Sequence, residues 1–352
     1  MEQASLFPDL ALPTTRDVAR LVKEGGVEAI GGTRRADEAT YREIRCRSAL
    51  NRVRGMPFKW TLNPYRGCTH GCHYCFARRY QAQLELDADD QFASLIFVKT
   101  NFVTRLRDEL HRPAWAREQV ALGTATDPYQ PIEGTYRLTR GSIECLAEAA
   151  TPVGIVTKGP MVLRDRDVLA DLSARAECRV YLSVPTVDED GWRRLEPGTA
   201  HPLQRLRAVR ELVDAGIDAG VLMAPIVPGL TSQPARLERT VKAIADSGAR
   251  HVGAMVMHLE GGTRDHFMGF LAREYPELVE QYGHLYAGKY APSPYLQRVQ
   301  DVVGMLKARY GLPLGKAKGR RQKAEENSVA RLRARQSEQK PREDRGPLGQ
   351  LR

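Results

Sequence analysis

An α/β fold built from repeated βα units around a parallel sheet is the architecture this sequence predicts. Three observations lead there. From Phe58 onward, short apolar β-rich runs alternate with stretches of helical period. Several runs are continuously apolar, as strands buried on both faces are. The later intervening stretches carry helix punctuation, with a polar or proline start, an apolar stripe and a terminal glycine. At 352 residues, 42% of them hydrophobic, the chain can bury a substantial core.

Residues 1–55 read as a polar N-terminal extension, turn-rich at 24–32 and helical over 36–53. Candidate strands follow at 58–62, 94–99, 119–124, 153–157, 179–184, 218–224 and 251–258. Leu203, Leu206, Val209, Leu212 and Val213 keep helical spacing before Gly216, a stop signal. The next helix has Thr231 or Ser232 as cap, Pro234 in its first turn, a stripe of Leu237, Val241 and Ile244, and Gly248 at its end. A last helix is capped by Ser293, begins at Pro294, lines one face with Val299, Val302, Val303 and Leu306, and stops at Gly311. It closes a folded domain at 56–312. Residues 313–352 are charged and poor in bulky apolar side chains, so burial cannot repay the entropy of ordering them; they read as a disordered basic tail.

The net charge is +10, and from residue 316 onward twelve Lys or Arg stand against five Asp or Glu. The excess therefore sits mostly in the tail, where it suits a polyanionic partner such as nucleic acid. No window approaches a membrane span, and the N-terminus has no basic stretch followed by an apolar one, so the expected location is cytoplasmic.

Three of the six cysteines crowd into NPYRGCTHGCHYCFAR, residues 63–78, while Cys46, Cys145 and Cys178 are scattered. A disulfide framework would spread its cysteines in pairs, so Cys68, Cys72 and Cys75 read as metal ligands. Two metal chemistries compete. Three thiolates on one loop hold an iron-sulfur cluster with one iron left open. The same thiolates with His70 or His73 make a Cys3His zinc site, which fits a nucleic-acid-binding protein without catalysis.

The spacing C-x3-C-x2-C with Tyr74 before the last cysteine resembles the radical S-adenosylmethionine (radical SAM) superfamily. The longer stretch WTLNPYRGCTHGCHYCFAR looks like the branch related to spore photoproduct lyase, a family of DNA repair photolyase-like enzymes. The resemblance spans roughly residues 40–310 and implies a partial TIM-like (β/α)6 barrel, so one of the seven candidate strands is accessory. It further implies a 4Fe-4S cluster on Cys68, Cys72 and Cys75 whose open iron binds S-adenosyl-L-methionine (SAM). Reductive cleavage of SAM then yields methionine and a 5′-deoxyadenosyl radical that abstracts hydrogen from a substrate, with the electron coming from a flavodoxin- or ferredoxin-like donor. Lyase and transferase outcomes both remain open.

Barrel enzymes place their sites at the carboxyl ends of strands, which singles out three more places. Thr126 and Asp127 follow the 119–124 run and can accept from the SAM ammonium, although Asp127-Pro128 is also an ordinary turn sequence. Lys158 follows the 153–157 run, and related lyases use a lysine in a similar context for the SAM carboxylate; a surface lysine is the competing reading. Ser183 puts a hydroxyl into an apolar strand near its end, where SAM or a backbone group would satisfy it. Tyr74, by resemblance, packs against the adenine. Arg66, Arg78 and Arg79 flank the cysteines, either meeting anionic charge or standing in solvent. One departure concerns the hydrogen donor. Spore photoproduct lyase carries a cysteine where this chain has Thr124, and a hydroxyl is a poor hydrogen-atom donor, which argues against thymine-dimer repair.

Overall fold

A computed structural model of the chain describes residues 39–84 and 90–314. The turn-rich piece at 24–32 and the basic tail from residue 315 lie outside them. The strands are β1 (Thr40–Ile44), β2 (Leu50–Arg52), β3 (Trp60–Leu62), β4 (Tyr65–Arg66), β5 (Leu95–Lys99), β6 (Val120–Leu122), β7 (Val153–Thr157), β8 (Cys178–Ser183), β9 (Asp218–Ile226) and β10 (Val252–Val256). Among the described residues the α-helices of eight residues or more are α1 (Phe102–Leu110), α2 (Leu138–Glu148), α3 (Arg166–Arg175), α4 (Pro202–Asp214), α5 (Pro234–Asp246), α6 (Gly261–Glu274) and α7 (Ser293–Arg309).

The main sheet has the order β10-β9-β8-β7-β6-β3-β2. Its neighbours run parallel from β10 through β3, and β2 adds an antiparallel edge. Six of the seven expected runs thus form the parallel strands of a half-barrel. The exception is 94–99, whose β5 belongs to a separate three-stranded sheet, β1-β5-β4. Leu62, Leu122, Ile155, Val180 and Val221 are buried in one core with the inner stripes of α4 and α5. Such sequestration of apolar area is the main favourable term in folding.

Over 39–53, the described part of the helix expected at 36–53, no helix forms, and β1 and β2 stand there. Distant side chains satisfy the backbone groups that a helix would pair internally. The Glu109 carboxylate accepts from the amides of Ala49, 3.1 Å, and Leu50, 2.8 Å. Asn101 accepts from the Cys46 amide at 2.8 Å and donates to its carbonyl at 3.0 Å.

The glycine stops are as expected. Gly216 at φ +83° and Ile217 close α4 by donating to Val213 and Leu212, the paired bonds of a Schellman motif, and Gly311 with Leu312 repeats it after α7. The starts differ. Gln233 holds the cap position of α5, because Thr231 and Ser232 instead accept from the amides of Val227 and Gly229, and Pro292 holds that of α7 with Ser293 as its first helical residue.

Candidate functional site at the strand carboxyl ends

The cysteine loop leaves β4 at Gly67, where φ is +79° and an added Cβ would stand 2.6 Å from the Leu95 carbonyl. Only glycine lets the chain cross β5 so closely. The Cys68 amide then donates to Phe92 at 2.9 Å, and two turns follow, from Gly71 back to Cys68 and from Cys75 back to Cys72. Buried Arg78 braces both turns, donating to the carbonyls of Cys72 at 3.0 Å and Gly71 at 2.7 Å while its guanidinium lies over the Phe92 ring. Arg78 is therefore buried and bonded, not a solvated loop residue. Cys68 and Cys72 are buried and Cys75 is half-buried. Burial pushes the Cys68 thiol well up and the Cys72 thiol to about 12, with Lys158 beside Cys72 pulling the other way.

The turn after β6 holds this loop from one side. Thr126 Oγ1 donates to the Gly67 carbonyl at 2.6 Å. Fully buried Gln130 donates to Thr126 Oγ1 at 2.9 Å and accepts from the Thr69 amide at 3.2 Å. Asp127 accepts from the Tyr129 amide, 2.9 Å, the Thr157 hydroxyl, 2.6 Å, and the Lys158 amide, 2.7 Å, and its other close neighbour is His70 Nδ1 at 3.3 Å. Burial alone would raise its pKa, but His70, Thr157 and the Lys158 amide outweigh it and hold the carboxyl at about 2. Asn63, just past β3, accepts from the Ala125 amide at 2.7 Å and donates to Thr124 Oγ1 at 3.3 Å.

From the other side the loop is held by a buried carboxylate. Glu196, 1% exposed, receives the Tyr74 phenol and, at 2.6 Å, Arg205 Nη2. Arg205 is fully buried and also donates to the carbonyls of Ser183 and Ala200, each at 2.8 Å. Lys158 Nζ lies 3.8 Å from Glu196 and 5.6 Å from the Tyr74 ring centre. Burial works against the charge on Lys158, yet Cys72 and Glu196 leave its pKa raised. The Ser183 hydroxyl donates to the Ala224 carbonyl at 3.1 Å. At Gly198 a Cβ would meet the Thr69 carbonyl at 2.3 Å, so this segment lies directly against the cysteine loop.

The expected cluster and SAM residues, Cys68, Cys72, Tyr74, Cys75, Thr126, Asp127, Lys158 and Ser183, thus belong to one bonded assembly at the strand ends, whereas Arg66 and Arg79 bond to Tyr80 and Glu260 outside it. Sequence reasoning missed Gln130, Glu196 and Arg205, and it undervalued His70. A usable signal was Arg205 itself, a charged residue beside the apolar stripe of α4. His73 stands apart from Asp127: its Nδ1 is 3.0 Å from His266 and its ring stacks on Phe270. Tyr129 is buried in the main core.

The model of the radical SAM superfamily matches residues 62–244, just over half of the chain. An uncharacterised protein of Mycobacterium tuberculosis is 42% identical over 280 residues, covering 78% of this chain and 82% of its own. A radical SAM Nalpha-GlyT isomerase of Pseudomonas phage M6 is 26% identical over 56% of this chain and 39% of its own. Among solved structures, spore photoproduct lyase complexed with dinucleoside spore photoproduct superposes with a TM-score of 0.61 at 15% identity, covering 85% of this chain and 92% of that one. These matches displace the non-catalytic zinc reading of the cysteines. The chain belongs to the radical SAM superfamily, enzymes that work with a 4Fe-4S cluster and SAM.

Proposed function

We propose that Cys68, Cys72 and Cys75 hold the cluster, that SAM is received between Tyr74, Lys158, Ser183 and the turn at Thr126 and Asp127, and that the substrate is nucleic acid. The observation that carries the site is the bonding of the cysteine loop to the ends of β6, β7 and β8 through Thr126, Asp127 and the Glu196–Arg205 pair. The donor set fits the cluster: three thiols on one loop seated in a glycine cradle. When bound, cluster and SAM supply one-electron chemistry that ends in hydrogen-atom abstraction.

The protein's part is positioning. Lys158 stands as a point charge beside Cys72, and we assign it the SAM carboxylate. Asp127 already faces four internal groups, as many as a carboxylate accepts, so we assign it to holding His70 and the start of the β7 loop. Ser183 spends its proton on Ala224 and keeps acceptor capacity. Tyr74, fixed by Glu196, supplies an apolar ring face for adenine.

Two features support a nucleic-acid substrate: the basic tail, and a fold shared with a protein solved with a dinucleoside photoproduct. With Thr124 accepting a hydrogen bond from Asn63 and offering no thiol, the reaction we propose is a modification or rearrangement other than thymine-dimer reversal. A flavodoxin- or ferredoxin-like protein is the proposed electron donor and the cytoplasm the proposed location; among the described residues no helix is long and apolar enough to cross a membrane.

Anaerobic reconstitution should load about four irons and matching sulfide per chain. Chemical reduction with SAM should then release 5′-deoxyadenosine, and Cys72→Ala should lose both cluster absorbance and product. Stoichiometric zinc without iron, or no 5′-deoxyadenosine from a loaded protein, would overturn the assignment.

A further inference from the structure

A row of aromatic rings lies at the surface beside the cysteine loop and takes no part in the site described above. Phe76 follows Cys75 directly and is 38% exposed; Tyr290 is 60% exposed. His258 stands between them, its ring centre 6.2 Å from Phe76 and 5.7 Å from Tyr290. Tyr80 continues the row, 6.3 Å from Phe76 and edge-on to it. The backbone fixes the spacing. His258 and Tyr290 face each other across an antiparallel bridge, and the Leu259 amide donates to the Lys289 carbonyl at 2.9 Å. Thr263 in the first turn of α6 donates to the carbonyls of Cys75 and Phe76, which ties the row to the cysteine loop.

Cations stand over both ends, Arg79 above the Tyr80 ring at 5.0 Å and Lys289 above Tyr290 at 5.3 Å. Glu260 pairs with both and so neutralises only one of the two charges. Burial, Lys289 and Arg79 together press the His258 imidazole toward its neutral form, in which it stacks as an uncharged ring. Scattered exposed apolar side chains are normal at a protein surface. Neighbouring rings, tilted or edge-on to one another and two of them set by an antiparallel bridge, with cations over the outer two, are what unpaired nucleobases and their phosphates bind.

We propose that Phe76, His258 and Tyr290 form a stacking platform for unpaired bases of a single-stranded or locally opened nucleic acid, with Arg79 and Lys289 meeting its phosphates. The proposal rests on the nucleic-acid reading of the substrate and adds to it a place and a binding mode. The platform lies between the carboxyl end of β10 and Cys75, so a strand lying on it delivers an adjacent nucleotide to the cysteine loop.

The test uses the full-length protein and fluorescence anisotropy with two labelled strands of equal length, one of mixed sequence and one abasic, at salt high enough to weaken purely electrostatic binding by the tail. Tyr290→Ala and His258→Ala should each weaken the base-bearing strand about tenfold, the loss expected for one stacked base. Tyr290→Phe should bind like the parent, and the abasic strand should be indifferent to all three changes. If the parent binds the intact strand and both alanine variants match it, the platform is wrong while the substrate reading stands. If the parent binds neither strand, both fall. Normal strand binding with impaired reduction by a flavodoxin would make the surface a docking site for the electron donor and overturn the proposal.

Discussion

Glu196 joins three parts of the chain that are far apart in sequence: Tyr74 between two cysteines, Lys158 after β7, and Arg205 in α4. In the interior the Arg205 guanidinium donates to Glu196, Thr199 and two carbonyls. Removing one member of a buried pair leaves the other charge without a counterpart, which costs about 3–5 kcal/mol. Glu196→Ala should therefore lower the urea midpoint by an amount equivalent to that range. Glu196→Gln, which can still receive the Tyr74 phenol, should lose less. A shift below about 1 kcal/mol for the alanine variant would show that the pair is not sealed from solvent. Apart from Arg205 standing beside the apolar stripe of α4, nothing in the local sequence announces the pair. Glu196 and Arg205 meet because the chain reverses through Pro197 and Gly198 against the cysteine loop, and that reversal depends on a contact with Thr69 more than a hundred residues earlier. The cysteines and Tyr74, by contrast, are contiguous, so their spacing could be read directly.

The elements divide by whether their reason is local. Strands β6 to β9 each pair with a neighbour on both sides, and their apolar runs showed it. Run 94–99 is just as apolar, but apolarity does not say which sheet a strand joins; β5 pairs with β1 and β4 and puts Ile96 and Val98 into the core. Residues 36–53 misled because Glu109 and Asn101, on and beside α1, supply the hydrogen bonds that settle the matter. The cysteine loop is the element most sensitive to one atom. Gly67→Ala adds a Cβ 2.6 Å from a carbonyl at a φ that L-residues avoid, a strain on the order of 1–3 kcal/mol. Reconstituted Gly67→Ala should bind clearly less iron than the parent. Gly154→Ala in β7, where a Cβ meets nothing within 4 Å, should load normally. Equal loading by both would mean that the cradle does not set the loop.

At the scale of the whole molecule, the +10 charge concentrates beyond residue 315, while the bonded site is assembled within residues 63–224. Binding and chemistry should therefore separate. A chain ending at residue 314 should bind nucleic acid with a shallower dependence of log K on log salt, because fewer counterions are released. The same truncated chain should still release 5′-deoxyadenosine on reduction with SAM; loss of that activity would place part of the tail in the catalytic unit. The main sheet carries one more consequence. Its end strands β10 and β2 do not pair with each other, so the half-barrel is open along one side. A closed cylinder admits only what fits down its axis, which limits the whole of the guest. An open one limits only the part that reacts, since the remainder of a long polymer can pass out sideways. For the nucleic-acid substrate proposed above, selection would then fall on a single nucleotide within a strand of any length.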